Sequence, residues 1–165
     1  ISPDYRGLMG LARNSGDIST FYAKVVKAND DFDYQYGSSE FIHFKPANSN
    51  RGEVIGAFAR AKFKDGDAQF DYMTTEDIET IRQRSKAKDK GPWVTDYEAM
   101  AMKTVIRRIC KFLPVSAELQ KAISLDELND IDMTQNNRAI LDGEFMETPA
   151  EQGKPDVEMP KAAQK

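Results

Sequence analysis

Hydrophobic positions change their spacing several times along this 165-residue chain. In "YRGLMGLARNSG", Leu8, Leu11 and Ala12 recur at helical spacing, and Gly16 stands where a C-terminal cap would. A strand-rich block follows. Ile18 to Lys27 ("ISTFYAKVVK") is rich in β-branched and aromatic residues. "DFDYQYG" alternates, with Phe32, Tyr34 and Tyr36 on one side, and "EFIHF" is a short strand candidate. Lys45 to Gly52 reads as a loop. In "EVIGAFARAKF", Ile55, Ala57, Ala59, Ala61 and Phe63 form one face, and Val54, Phe58, Arg60 and Lys62 the other. The Asp-Gly of "KDGD" and the return strand "AQFDYM" make Glu53 to Met73 a β-hairpin.

Helical spacing then returns. Thr74 precedes "TEDIETIRQR", with acids in the first turn and arginines in the last, as the helix dipole favours. Lys86 to Trp93 reads as a basic loop. A longer helix opens with Thr95 and Glu98 as a capping box. It places Tyr97, Ala101, Val105, Ile109 and Phe112 on one face and Lys103, Arg107 and Lys111 in a stripe on another. Pro114 stops it. Ser116 caps a short helix over "SAELQKAI". From Asp126 onward apolar periodicity fades into a polar, acidic, proline-containing stretch, read as a largely disordered tail. The expected organisation is a core over residues 1–125 and an acidic tail over 126–165.

Charge sharpens that division. The net charge is −4, which alone argues against a nucleic-acid partner. It is +2 up to Leu125 and −6 beyond, while Arg82 to Lys111 carries 9 basic against 3 acidic residues. A basic segment in an acidic protein points to an anionic partner. Such a row of cations, with a basic loop and an aromatic ring beside it, can follow a nucleic-acid backbone. The bland alternative is a solvated helix face. The only tryptophan, Trp93, reads as a packing residue beside Pro92, with base stacking as the alternative.

Little else carries chemistry. There is one cysteine and one histidine, too few for an ordinary structural zinc site. Cys110, inside a helix pattern, reads as a buried thiol, and the lone cysteine favours a reducing, cytoplasmic compartment. His43 reads as a hydrogen-bonded strand residue, and Tyr34 and Tyr36 as sheet packing. No apolar run approaches a membrane span. Phosphate-loop, dinucleotide and nucleophile-elbow motifs are absent, so no cofactor is expected. The enzyme reading to weigh is a metal-dependent nuclease using Asp65, Asp67 and Asp71 of the hairpin. A structural role accounts for them better: Asp65 and Asp67 flank a glycine in a turn, and Asp71 sits on a polar strand face.

The segments "YRGLMGLARNSGDI", "AFARAKFKDGDAQFDYMTTEDIETIR", "SKAKDKGPWVTDYEAMAMKTVIRRICKFLPVS" and "LQKAISLDE" resemble, in order, the RecT family of phage-type single-strand annealing proteins, over Tyr5 to Glu127. The resemblance implies an α+β fold, a small antiparallel sheet with a long helix packed across it. It implies no covalent catalysis. The expected activity is ATP-independent binding of single-stranded DNA and annealing of complementary strands in phage-type recombination and repair. The partners it implies are DNA, further copies in rings or helical filaments, and a phage exonuclease. It places Lys103, Arg107, Arg108 and Lys111 in a DNA groove, Lys103 foremost, with Arg6, Lys24, Arg60, Lys62 and the loop ending at Lys90 as further contacts. Family members carry a helical region ahead of "YRG", where this chain has almost nothing. A fragment or a truncated prophage remnant is the corresponding expectation.

Overall fold

The computed structural model describes residues 4–14 and 16–132. The expected tail therefore lies outside the described residues except for 126–132. Helix α1 (Tyr5–Asn14) leads into β1 (Ile18–Lys27), a hairpin of β2 (Asp31–Gln35) and β3 (Phe41–Lys45), and a longer hairpin of β4 (Val54–Phe63) and β5 (Ala68–Thr74). Helices α2 (Thr75–Gln83), α3 (Pro92–Thr95), α4 (Tyr97–Cys110) and α5 (Ala117–Asp130) follow. The fold is α+β, as expected. Among the described residues no helix is long and apolar enough to cross a membrane.

A three-stranded antiparallel sheet, in the order β1-β4-β5, carries apolar side chains on both faces. On the inner face Phe21, Ala23 and Val25 of β1 stand opposite Ala61, Ala59 and Ala57 of β4. The three alanines leave room for α4, whose Ala101, Val105 and Ile109 pack into the same core with Leu8, Ile78 and Ile123. Full burial of a large aliphatic side chain contributes roughly 1.5–3 kcal/mol, so this helix-on-sheet core dominates the stability. On the outer face Val26, Phe58 and Tyr72 form a second cluster, covered by Phe32, Ile42 and Phe44 of the β2–β3 hairpin. Phe32 stacks on Phe58 with ring centroids 6.0 Å apart. Tyr34 and Tyr36 also lie against the sheet, on Tyr72 and Phe70.

Several local details depart from strict periodicity. Lys27 pairs with Val54 while Val26 pairs with Gly56, so Ile55 is an extra, bulged residue. A bulge reverses the alternation: Ile55 is exposed and Val54 packs on the inner core. Leu11 faces solvent, since the buried stripe of α1 is Leu8 and Ala12 at i, i+4. Phe112 lies beyond the end of α4 and is 69% exposed. The Thr95–Glu98 capping box does not form, because α3 intervenes. Thr95 instead donates to the Gly91 carbonyl, and Glu98 pairs with Lys27 at 2.6 Å. By contrast, Thr74 and Ser116 cap α2 and α5 as expected, Thr74 in a full box with Asp77.

Helix α5 is longer than its apolar pattern implies and runs through Asp126 to Asp130. Its inward stripe is Leu119, Ile123, Asp126 and Asp130, while Leu125 and Leu128 face outward at 52% and 56% exposure. The last inward positions are acidic, so hydrophobic spacing stops before the helix does.

Candidate nucleic-acid interface

The candidate cations fall into two groups with opposite surroundings. Lys103, Arg107 and Lys111 do form one row, on α4, but α5 lies over it. Lys103 and Arg107 are each only 7% exposed, and Asp126 is 3% exposed. Arg107 donates through Nε to Asp126 at 2.8 Å and through Nη2 to both Asp126 and Asp130. The Lys103 ammonium lies 3.2 Å from Asp126, and Lys111 lies 2.9 Å from Glu127. Arg108 turns the other way. It clasps Asp71 of β5 with bonds of 2.6 and 2.7 Å and donates to the Tyr72 carbonyl at 2.7 Å. The Asp71 carboxylate raises the Arg108 pKa above its ordinary value, chiefly through that hydrogen bonding. The row expected to lie open is therefore covered. The row's acidic partners come from the next helix, and that of Arg108 from the sheet, at sequence separations that a scan of α4 alone does not reach.

The second group lies on the outer face of the sheet, with Lys24 and Lys62 exposed and Arg60 half-buried. Lys24 of β1 and Arg60 and Lys62 of β4 alternate with the inward alanine side, so they project outward. Their side chains form no ion pair among the described residues. In register terms Tyr22 stands opposite Arg60, Thr20 opposite Lys62 and Lys24 opposite Phe58. Neighbouring strands lie about 4.8 Å apart and side chains on one face repeat every second residue. Half-buried Tyr22 therefore has cations on both sides of it. Its ring meets Phe58 edge-on at 6.0 Å. Tyr22 did not emerge from the sequence. Its signal was the Tyr-x-Lys alternation at Tyr22 and Lys24, meaningful only once paired with Arg60 and Lys62.

Around the corner, along the outer edge of β1, Arg6, Arg13, Lys24 and Arg51 line a groove of about 520 Å³. Two of these arginines satisfy edge carbonyls, Arg13 at Phe21 (3.1 Å) and Arg51 at Val25 (3.3 Å). Arg51 also holds Asp30 through bonds of 2.6 and 2.9 Å. That hydrogen bonding keeps the Asp30 carboxyl well below the usual carboxylate range. Arg6 lies against the Tyr5 ring on exposed α1. Lys90, exposed in the turn before α3, lies outside the residues lining this groove.

The remaining candidates settle into structural roles. Trp93 is buried beside Tyr97, with the Arg82 guanidinium 5.9 Å from its ring centre, so it cannot stack a base from this position. His43 bonds Asp31 at 3.1 Å. Burial pushes the Cys110 thiol up to about 12. The hairpin carboxylates do not converge: Asp71 is engaged by Arg108, Asp65 accepts from the Asp67 amide within the turn, and among the described residues no cluster of ligating side chains could hold a metal.

Comparison with known proteins adds an independent line. The model of the RecT family matches residues 1–140. Protein RecT of Escherichia coli (strain K12) is 43% identical over 141 residues, covering 86% of this chain and 52% of that protein. The uncharacterized protein YqaK of Bacillus subtilis (strain 168) is 29% identical over 146 residues, covering 85% and 50%. The chain thus spans about half the length of the curated relatives it matches.

Proposed function

The chain belongs to the RecT family, and on that premise we propose that it binds single-stranded DNA and anneals complementary strands without ATP. The observation that carries this reading is the outer sheet face. Lys24, Arg60 and Lys62 neighbour Tyr22 there in the strand register and form no ion pair among the described residues. Unpaired cations capture phosphates regardless of sequence, and an aromatic ring accepts any base by stacking. A bound strand would lie with its phosphates neutralised and its other base edges open to a complement. Arg6 and the β1-edge groove would extend the path.

The process served is phage-type homologous recombination in the cytoplasm. The partners are a complementary strand, further copies of the chain in a ring or filament, and a phage exonuclease. No step needs covalent chemistry, and the sequence has no phosphate-loop motif to bind a nucleotide triphosphate.

The test is annealing of two complementary oligonucleotides, one carrying a fluorophore and the other a quencher, in EDTA without ATP. The reading expects faster annealing with protein than without. An unchanged rate, or cleavage that appears only with Mg²⁺, would overturn it.

A further inference from the structure

We propose that the cavity beneath α5 is a second site for the phosphates of a DNA strand, held shut by the carboxylates of α5 itself. The proposal rests on the reading that the chain binds single-stranded DNA. The cavity has a volume of about 320 Å³, and its charged lining is Arg84, Arg107, Arg108 and Lys111 against Glu127 and Asp130. The Arg84 guanidinium has no carboxylate partner among the described residues.

The way α5 is held makes it a displaceable cover. Its apolar anchors, Leu119 and Ile123, belong to its first half. From Leu125 to Asp130 it buries no apolar side chain, since Leu125 and Leu128 face solvent, and half-buried Ile131, just past its end, is its apolar contact on the cavity wall. That second half is held by Asp126, Glu127 and Asp130 on the α4 cations. Two backbone bonds add to this, from the Asp132 amide to the Arg84 carbonyl (2.9 Å) and from the Lys86 amide to the Asp130 carbonyl (3.0 Å). A buried ion pair roughly balances its own desolvation cost, so its carboxylate can be exchanged for another anion at little net expense. Phosphodiesters carry the same charge and accept the same forked arginine bonds. Arg107 and Lys111 stand about one helical turn, roughly 5–6 Å, apart on the cavity wall, with Arg84 and Arg108 also lining it. A strand with successive charges can engage several of these cations, whereas a small anion reaches only one or two.

Displacement must be reciprocal: DNA at the row loosens the end of α5, and loosening that end tightens DNA. The test uses the full chain and a 30-nucleotide oligothymidine. Hydrogen exchange at residues 126–132 is followed with the oligonucleotide and with pyrophosphate. Affinity is measured for Glu127→Gln/Asp130→Asn, which spares the buried Asp126, and for the charge-matched control Asp33→Asn/Glu40→Gln. The expected result is loss of protection at 126–132 with oligonucleotide and none with pyrophosphate. Affinity should rise at least about threefold more in the α5 variant than in the control. Oligonucleotide binding with α5 still protected, or equal affinity gains in the two variants, overturns the inference and leaves the sheet-face reading standing. No oligonucleotide binding at all overturns both.

Discussion

Arg107 of α4 and Asp126 of α5 form a buried, forked ion pair, with Lys103 on the same carboxylate. Removing the carboxylate takes a buried partner from both cations and leaves Arg107 with Asp130. Breaking a buried pair by deleting one partner typically costs about 3–5 kcal/mol. Asp126→Ala should therefore lose about that much stability in urea denaturation. A loss under about 1 kcal/mol would mean that the pair is solvated.

Gly56 lies beside the Ile55 bulge, where β4 passes close to β5. A Cβ there would overlap the Tyr72 hydroxyl and sit 2.5 Å from the Met73 carbonyl oxygen. The carbonyl belongs to a paired strand and cannot swing aside. Gly56→Ala should destabilise by about 1–3 kcal/mol, the usual range for overpacking. Gly10→Ala, with nothing within 4 Å, should not destabilise. Thermal melts of the two variants make the comparison.

The Asp30–Arg51 pair gives the fold a defined acid dependence. Arg51 lowers the Asp30 pKa through its hydrogen bonds, and the Asp30 side chain is fully buried. A depressed carboxylate contributes stability that is complete above its unfolded pKa, near 3.9, and fades as pH falls toward its folded value. Stability should therefore fall below about pH 4. Asp30→Asn should be less stable at pH 7 and show a shallower fall. Parallel slopes for both proteins below that pH would contradict the assignment.

These relationships also show what could be read from the chain in advance. Strands, hairpins and the Thr74 cap were legible because alternation and turn chemistry are local. The α4 row was legible as a row, since Lys103, Arg107 and Lys111 share a helix face. Its cover was not, because Asp126 and Asp130 take inward positions that a search for apolar spacing reads as the end of the helix. The bulge at Ile55 depends on pairing with β1, and so does the grouping of Tyr22 with Arg60 and Lys62. Such features belong to tertiary register, which the periodicity of a single segment does not encode.

The central claim is that the outer sheet face holds the phosphate backbone. Its most direct test is the salt dependence of oligothymidine binding, wild type against Lys24→Gln/Arg60→Gln/Lys62→Gln. Each phosphate contact contributes about 0.7 to the slope of log affinity on log salt for a single strand. The triple variant should bind more weakly at every salt concentration, with a slope shallower by about 2. Identical affinities and slopes for the two proteins would contradict the account.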